Sequence, residues 1–259
     1  MELGAIQNEQ SVAGGATAAI PNTSDDPLLD PVGNALDSTH AHFAIGSGLA
    51  RRYPADVAPF AVLADASPES FAGLAELLAP GERIYLLGEE PRVSNGLAVG
   101  EPLHTFQMIG PERIDVQTEV PGEGRGDIAR IEPVLLGSQD AAAMFELITL
   151  AFPGFYRPRT YEMGTCYGIY LNGDLVAMAG ERLCITGLRE ISGVCTRPGH
   201  TGKGYANALM ARLLREHVAM AVKSFLHVGQ SNGRAVGIYE QMGFRTLRSI
   251  TLWPVSLAR

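Results

Sequence analysis

The chain has 259 residues, 46% hydrophobic and 19% charged, with 30 glycines and a formal net charge of -8. That length and apolar content can bury one large core or two modest ones, and they exclude a disordered or fibrous chain. The acidic balance, with no cluster of Lys and Arg, argues against a broad nucleic-acid surface, which needs grouped cations to neutralise phosphates. Three cysteines, Cys166, Cys184 and Cys195, lack CxxC spacing, and six histidines form no HExxH or similar group. Neither a disulfide framework nor a metal site is expected, and a reducing compartment is the simpler reading. No basic start followed by an apolar run opens the sequence, and no stretch reaches the ~18 apolar residues of a membrane span. A cytoplasmic protein without membrane contact is the expectation.

Residues 1–36 are rich in Ala, Gly, Asn, Gln and Asp, with Pro21, Pro27 and Pro31, and read as a tail. Residues 37–120 alternate between short strands and a helix. His42 to Ile45 and Phe60 to Leu63 read as strands. Ser67 precedes a helix starting at Pro68, with Phe71, Leu74, Leu77 and Leu78 on one face. Arg83 to Leu87 and His104 to Ile109 read as further strands, and Gly96-Leu97-Ala98 as a loop. Residues 120–127 hold three glycines and a proline and are the best linker candidate.

From residue 128 to 259 the pattern is more regular. Ile128 to Leu136 reads as a strand, and Ser138 as the cap of a helix carrying Met144, Leu147, Ile148 and Leu150. Cys166 to Leu171 and Leu175 to Ala179 are strands joined by Asn172-Gly173-Asp174, a hairpin signal. Ile191 to Thr196 is a strand, followed by a glycine-rich turn and a helix with Ala206, Leu209, Met210 and Leu213 on one face. A strand (Phe225 to Val228), a helix (Arg234 to Met242) and a last strand (Leu247 to Trp253) follow.

The turn Thr196-Arg-Pro-Gly-His-Thr-Gly-Lys-Gly-Tyr-Ala206 carries the chemistry. A helix N-terminus offers unpaired N–H groups and partial positive charge. Glycines 199, 202 and 204 let a phosphate approach the backbone, and Lys203 can add charge. It is neither a Walker A loop nor GxGxxG, and a glycine-rich turn alone is often only a turn.

Thr201-Gly-Lys-Gly204-Tyr-Ala206 resembles the acetyl-CoA signature of the GNAT superfamily of N-acetyltransferases: Gln or Arg, two residues, Gly, one residue, then Gly or Ala. Thr201 stands where that family carries Gln or Arg. Downstream, Asn232…Tyr239-Glu-Gln-Met-Gly-Phe244 resembles the family's closing block. The resemblance covers about residues 128–253.

The resemblance implies an α/β fold with a mixed sheet whose central strands splay apart. It also suggests that a second, smaller α/β unit at 37–120 is a degenerate copy of the same fold. It implies acetyl-CoA or CoA as co-substrate, with no metal, and a small-molecule amine or amino acid as acceptor. No nucleic acid or membrane partner is expected, and a homodimer is a candidate assembly. The cofactor would lie on the backbone of Val194, Cys195 and Thr196, on His200, Thr201, Gly202, Lys203, Gly204, Tyr205 and Ala206, and on Asn232. Gly193 would permit a bulge. Tyr239 would be the general acid toward the departing thiolate; its alternative is a core tyrosine. Glu190 has two readings: a base acting through water, or a strand glutamate paired with Arg189 or Arg182. Cys195 reads as packing. The acceptor would meet the loop from Phe152 to Tyr161. A longer-chain acyltransferase resembling glycine N-acyltransferases, and a non-catalytic acyl-CoA-binding protein, remain the alternatives.

Overall fold

The computed structural model describes residues 26–93, 96–112, 132–151 and 154–258. In chain order its N-terminal part holds α1 (Pro31–Leu36), a 3-10 turn (Ala41–Phe43), β1 (Ile45–Ser47), β2 (Ala50–Arg52), β3 (Ala61–Leu63), α2 (Pro68–Glu76), β4 (Ile84–Leu87), β5 (Leu97–Val99) and β6 (Leu103–Ile109). Then come β7 (Val134–Leu136), α3 (Ala141–Ala151), β8 (Cys166–Leu171), β9 (Asp174–Ile185), β10 (Leu188–Thr196), α4 (Tyr205–Ala219), β11 (Lys223–Gly229), α5 (Gly233–Gln241) and β12 (Arg245–Leu257).

Among the described residues, nine strands form one mixed sheet in the order β4-β12-β6-β11-β10-β9-β8-β7, with β5 also paired to β12. The architecture is the mixed α/β sheet that the sequence implied. The N-terminal part, however, is not a unit set beside it. β6 lies between β11 and β12, antiparallel to both, so strands from both halves share one sheet. Among the described residues, only β1, β2 and β3 form a separate small sheet. The linker candidate at 120–127 lies outside the described residues.

Local chemistry explains most elements. Ser67 caps α2 by accepting from the Ser70 N–H at 3.2 Å, ahead of Pro68 at the first helical position. Asn172 (φ 54°) and Gly173 (φ 92°) turn β8 into β9, the positive-φ pair that a tight hairpin requires. Ser138 does not cap α3 directly. It opens a 3-10 turn whose Asp140 carboxylate accepts from the Gly137 N–H at 2.9 Å.

Three expectations are corrected. Residues 31–36 form α1, whose Val32, Ala35 and Leu36 are buried in the body. Residues 41–43 are a 3-10 turn and the strand begins at Ile45. Gly96-Leu97-Ala98 leads into β5, with Leu97 opposite Leu257.

Neighbouring residues on a strand face opposite ways, and the clusters divide accordingly. Ala177 and Ala179 of β9 and Leu226 and Val228 of β11 pack under α4 with Leu209 and Leu213. Met178 of β9 packs with α3 through Met144 and Leu147. Phe225 packs with α1 and with Tyr53, Val57 and Phe60 from the N-terminal part. At 1.5–3 kcal/mol per buried aliphatic or aromatic side chain, these contacts dominate stability.

Candidate active site

β10 and β11 are parallel neighbours, yet they pair only at Leu188↔Lys223, Arg189↔Ser224 and Glu190↔Phe225. Beyond Glu190 both strands continue, β10 against β9 alone and β11 against β6 alone. The two central strands thus splay from Ile191 and Leu226 onward and leave a fork open toward Thr196 and Gly229. Two bulges shape it. In the first, Arg182 and Leu183 of β9 stand opposite the single residue Glu190. In the second, Gly193 and Val194 of β10 stand opposite Ala179, with Gly193 at φ 63°. Glycine in the left-handed region is what a bulge of this kind needs.

The glycine turn lies at the end of β10. Gly199, Gly202 and Gly204 all have positive φ, at 87°, 81° and 81°. A Cβ on Gly199 or Gly202 would meet nothing within 4 Å, so the backbone is open there. Gly204 is the N-cap of α4 and brings no side-chain hydrogen bond to it. The first-turn N–H groups are therefore not capped by a side chain, and the positive end of a 15-residue helix faces the turn. The His200 Nδ1 is buried there with no hydrogen-bond partner among the described residues. An open glycine backbone, an uncapped helix start and an unpartnered imidazole nitrogen fit an anionic group such as a pyrophosphate. Thr201 and Gly202 lie exposed at the rim, and Ala206 and Lys203 are half-buried. Tyr205 differs from expectation in its side chain, which is buried in the core under α4. Only its backbone can face a ligand.

Asn232 ends the loop after β11 and caps α5, its side-chain oxygen accepting from the Ala235 N–H at 3.1 Å. Its oxygen is committed to the helix, and its amide nitrogen is the group left to meet a ligand. On α5, Ala235, Ile238 and Tyr239 are half-buried against the α4-side cluster, as is Val194 of β10. The Tyr239 ring lies 6.0 Å from that of Phe244. Its hydroxyl makes no hydrogen bond among the described residues, and burial pushes its pKa up to about 12. It is a phenol at neutral pH. The Cys195 thiol is buried, and burial raises it to about 12 despite a backbone hydrogen bond at Met178. A thiol kept protonated, with no histidine bonded to it, is not a nucleophile.

Glu190 is not available as a base. It is fully buried, and Arg182 grips it with two hydrogen bonds, of 2.9 and 2.6 Å. The Leu183 N–H donates to it at 3.2 Å and His227 Nδ1 lies 2.7 Å away. Burial alone would raise its pKa, but the Arg182 charge and the bonds from His227 and Arg182 outweigh that and hold it at about 2. The bulge in β9 is what brings Arg182 over Glu190. The chain of contacts goes on from His227 Nε2 to Gln107 Nε2 at 3.1 Å, and from Gln107 to the Leu28 carbonyl at 2.9 Å. One polar ladder thus crosses β9, β10, β11 and β6 where the fork begins.

The loop after α3 was expected to face the acceptor, and of it residues 154–161 are described. Tyr156 reaches the second bulge: a Cβ built on Gly193 would lie 3.9 Å from Tyr156 Cε2. Sequence reasoning had not singled it out, because a tyrosine in a loop carries no spacing signal.

A mixed sheet forked between two parallel strands, with a glycine-built helix start at the mouth, defines the acyl-CoA-dependent N-acyltransferase class. Comparison with known proteins agrees. The family model for FR47-like protein matches residues 166–253, from β8 into β12. A crystal structure from Novosphingobium aromaticivorans DSM 12444, assigned to the GNAT family of acetyltransferases, is similar at 32% identity and TM-score 0.76. The match covers 91% of this chain and 100% of that one. A GCN5-related N-acetyltransferase from Kribbella flavida shares the fold at 17% identity and TM-score 0.56, over 85% of this chain and 95% of that one. No curated protein matches the sequence. The chain belongs to the GNAT family of acetyltransferases.

Proposed function

We propose that the protein transfers an acetyl group from acetyl-CoA to a primary amine of a small molecule or amino acid, directly and without an acyl-enzyme. The observation that carries this reading is the juxtaposition of the fork with the open turn at Gly199 to Gly204. The pyrophosphate would lie on the backbone of His200 to Ala206, and the pantetheine arm would follow the unpaired edge of β10 from Val194 to Thr196. Asn232 would meet that arm through its amide nitrogen. Backbone N–H groups at the bulge would polarise the acyl carbonyl. With Glu190 neutralised by Arg182, the amine would enter as its free base. In that case kcat/KM should rise with pH along the acceptor's own titration, and a profile identical for two acceptors of different basicity would count against it.

Mixing the protein with acetyl-CoA and a panel of amines, and following thiol release, tests the assignment. Amine-dependent release is expected. Binding of CoA with no release for any amine would favour a carrier or sensor, and no binding at all would overturn the reading.

Tyr239 would assist departure of the thiolate. A phenol held near 12 is a weak acid toward a thiolate, so its help would lie at the low end of the ~10²–10⁴-fold that general acids contribute. Tyr239→Phe should lower kcat by at least ~10-fold and leave the acetyl-CoA Kd nearly unchanged. An unaltered kcat, with chemistry rate-limiting, would make Tyr239 a packing residue.

A further inference from the structure

Tyr156 is used by no step above. Its loop is held firmly against the N-terminal part. Thr160 Oγ1 accepts from the Arg157 N–H and donates to the Val57 carbonyl, both at 2.7 Å. The Arg159 N–H donates to the Asp56 carbonyl at 2.8 Å, and the Phe155 ring stacks on Phe60 at 5.9 Å. On this fixed loop the Tyr156 ring packs with the α3-side cluster that includes Cys195 and Met178, and it abuts Gly193. Tyr239 and Val194 both pack against the cluster under α4. Tyr156 thus meets the bulge from the α3 face of the sheet, and Tyr239 lies on the α4 face.

The Tyr156 hydroxyl is buried and has no hydrogen-bond partner among the described residues. A buried donor left unmade costs about 1–3 kcal/mol, so a fold without a use for it would do better with phenylalanine. Burial raises its pKa, so it remains a protonated donor at any working pH. Among the described residues the other buried tyrosine hydroxyl without a partner, that of Tyr205, sits in the core under α4. Tyr156 differs in standing beside the Gly193 bulge of β10.

We propose that the Tyr156 hydroxyl donates a hydrogen bond to the carbonyl oxygen of the acyl thioester in the fork, and so distinguishes acyl-CoA from free CoA. The inference rests on the acyl-CoA reading above. As the amine nitrogen bonds to the acyl carbon, the carbonyl electron pair moves onto oxygen, where the phenol's hydrogen bond stabilises it. The pair returns as the C–S bond breaks. The sulfur leaves with the bonding electrons and is protonated from Tyr239, which regains a proton from water, and the proton lost by the amine passes to water. Tyr156 keeps its own proton throughout.

Binding alone tests this, with no acceptor needed. Calorimetry should show wild-type protein binding acetyl-CoA about 5- to 10-fold more tightly than CoA, the size expected of one hydrogen bond. In Tyr156→Phe that preference should collapse toward unity, with CoA affinity and melting temperature unchanged or the latter raised. An equal preference in both proteins, or none in the wild type, overturns the proposal while leaving the acyl-CoA reading intact. Weakened CoA binding with a lowered melting temperature would mark Tyr156 as a packing residue and overturn it too. Failure of the wild type to bind either ligand removes the acyl-CoA reading and this inference together.

Discussion

Arg182→Met should destabilise the protein by about 3–5 kcal/mol, because it leaves the Glu190 carboxylate buried without its cation. Met keeps an apolar stem of similar length, so little of the loss is packing, apart from the guanidinium's place over the Phe60 ring at 4.9 Å. The partner's state is the reason for the size. Glu190 is fully buried, and of its contacts Arg182 supplies two side-chain hydrogen bonds and the nearest full positive charge. Removing the charge at both ends, in Arg182→Met with Glu190→Gln, should cost less than the sum of the single changes. A double-mutant cycle measures that coupling. Urea unfolding at neutral pH checks both points, and a loss below about 1 kcal/mol for Arg182→Met would show that the buried pair is dispensable.

The same pair sets an acid limit. The folded pKa of Glu190 is depressed to about 2 from an ordinary 4.5. A depressed carboxylate contributes stability that is present above its unfolded pKa and lost as pH falls through the folded one. Stability should therefore decline between about pH 4.5 and 2 on account of this group, by on the order of 3 kcal/mol. Glu181, which accepts from the Thr165 N–H and pairs with buried His217, is also held below the usual carboxylate range and adds loss in the same direction. In Glu190→Gln the decline should be shallower.

These buried pairs show where reading the sequence stops. The β8–β9 hairpin was legible because Asn172-Gly173 fixes its turn, and α4 because its apolar stripe recurs at helical spacing. The glycine turn was legible because glycine at three positive-φ positions has one local meaning. α1 was missed because its six residues are too few to show a helical period. The insertion of β6 between β11 and β12 was missed because pairing across more than a hundred residues leaves no trace in local pattern. Glu190 was legible as one of two alternatives, and what decided between them was a bulge. One extra residue in β9 places both Arg182 and Leu183 opposite it, and no spacing rule reports a bulge. Tyr156 was out of reach, since its meaning comes from a contact with Gly193 made across 37 residues of chain.

Gly204→Glu should abolish measurable CoA binding, a loss of about 100-fold or more. Two effects act together. Gly204 has φ 81°, and a residue with a Cβ in the left-handed region costs about 1–2 kcal/mol. That cost falls on α4's first turn, whose geometry presents the N–H groups. The carboxylate then stands at the helix start as a competing anion, satisfying the same donors and repelling a pyrophosphate. At about 4 Å, near a protein surface, like charges repel by roughly 4 kcal/mol, which is more than the 100-fold requires. Gly204→Ala separates the two, since it carries the backbone strain without the charge. It should keep part of the affinity, and the gap between the two variants should narrow as salt is raised. Calorimetry with CoA, alongside melting temperatures to confirm folding, gives the answer. Wild-type affinity in folded Gly204→Glu would place the pyrophosphate elsewhere and remove the turn from the site.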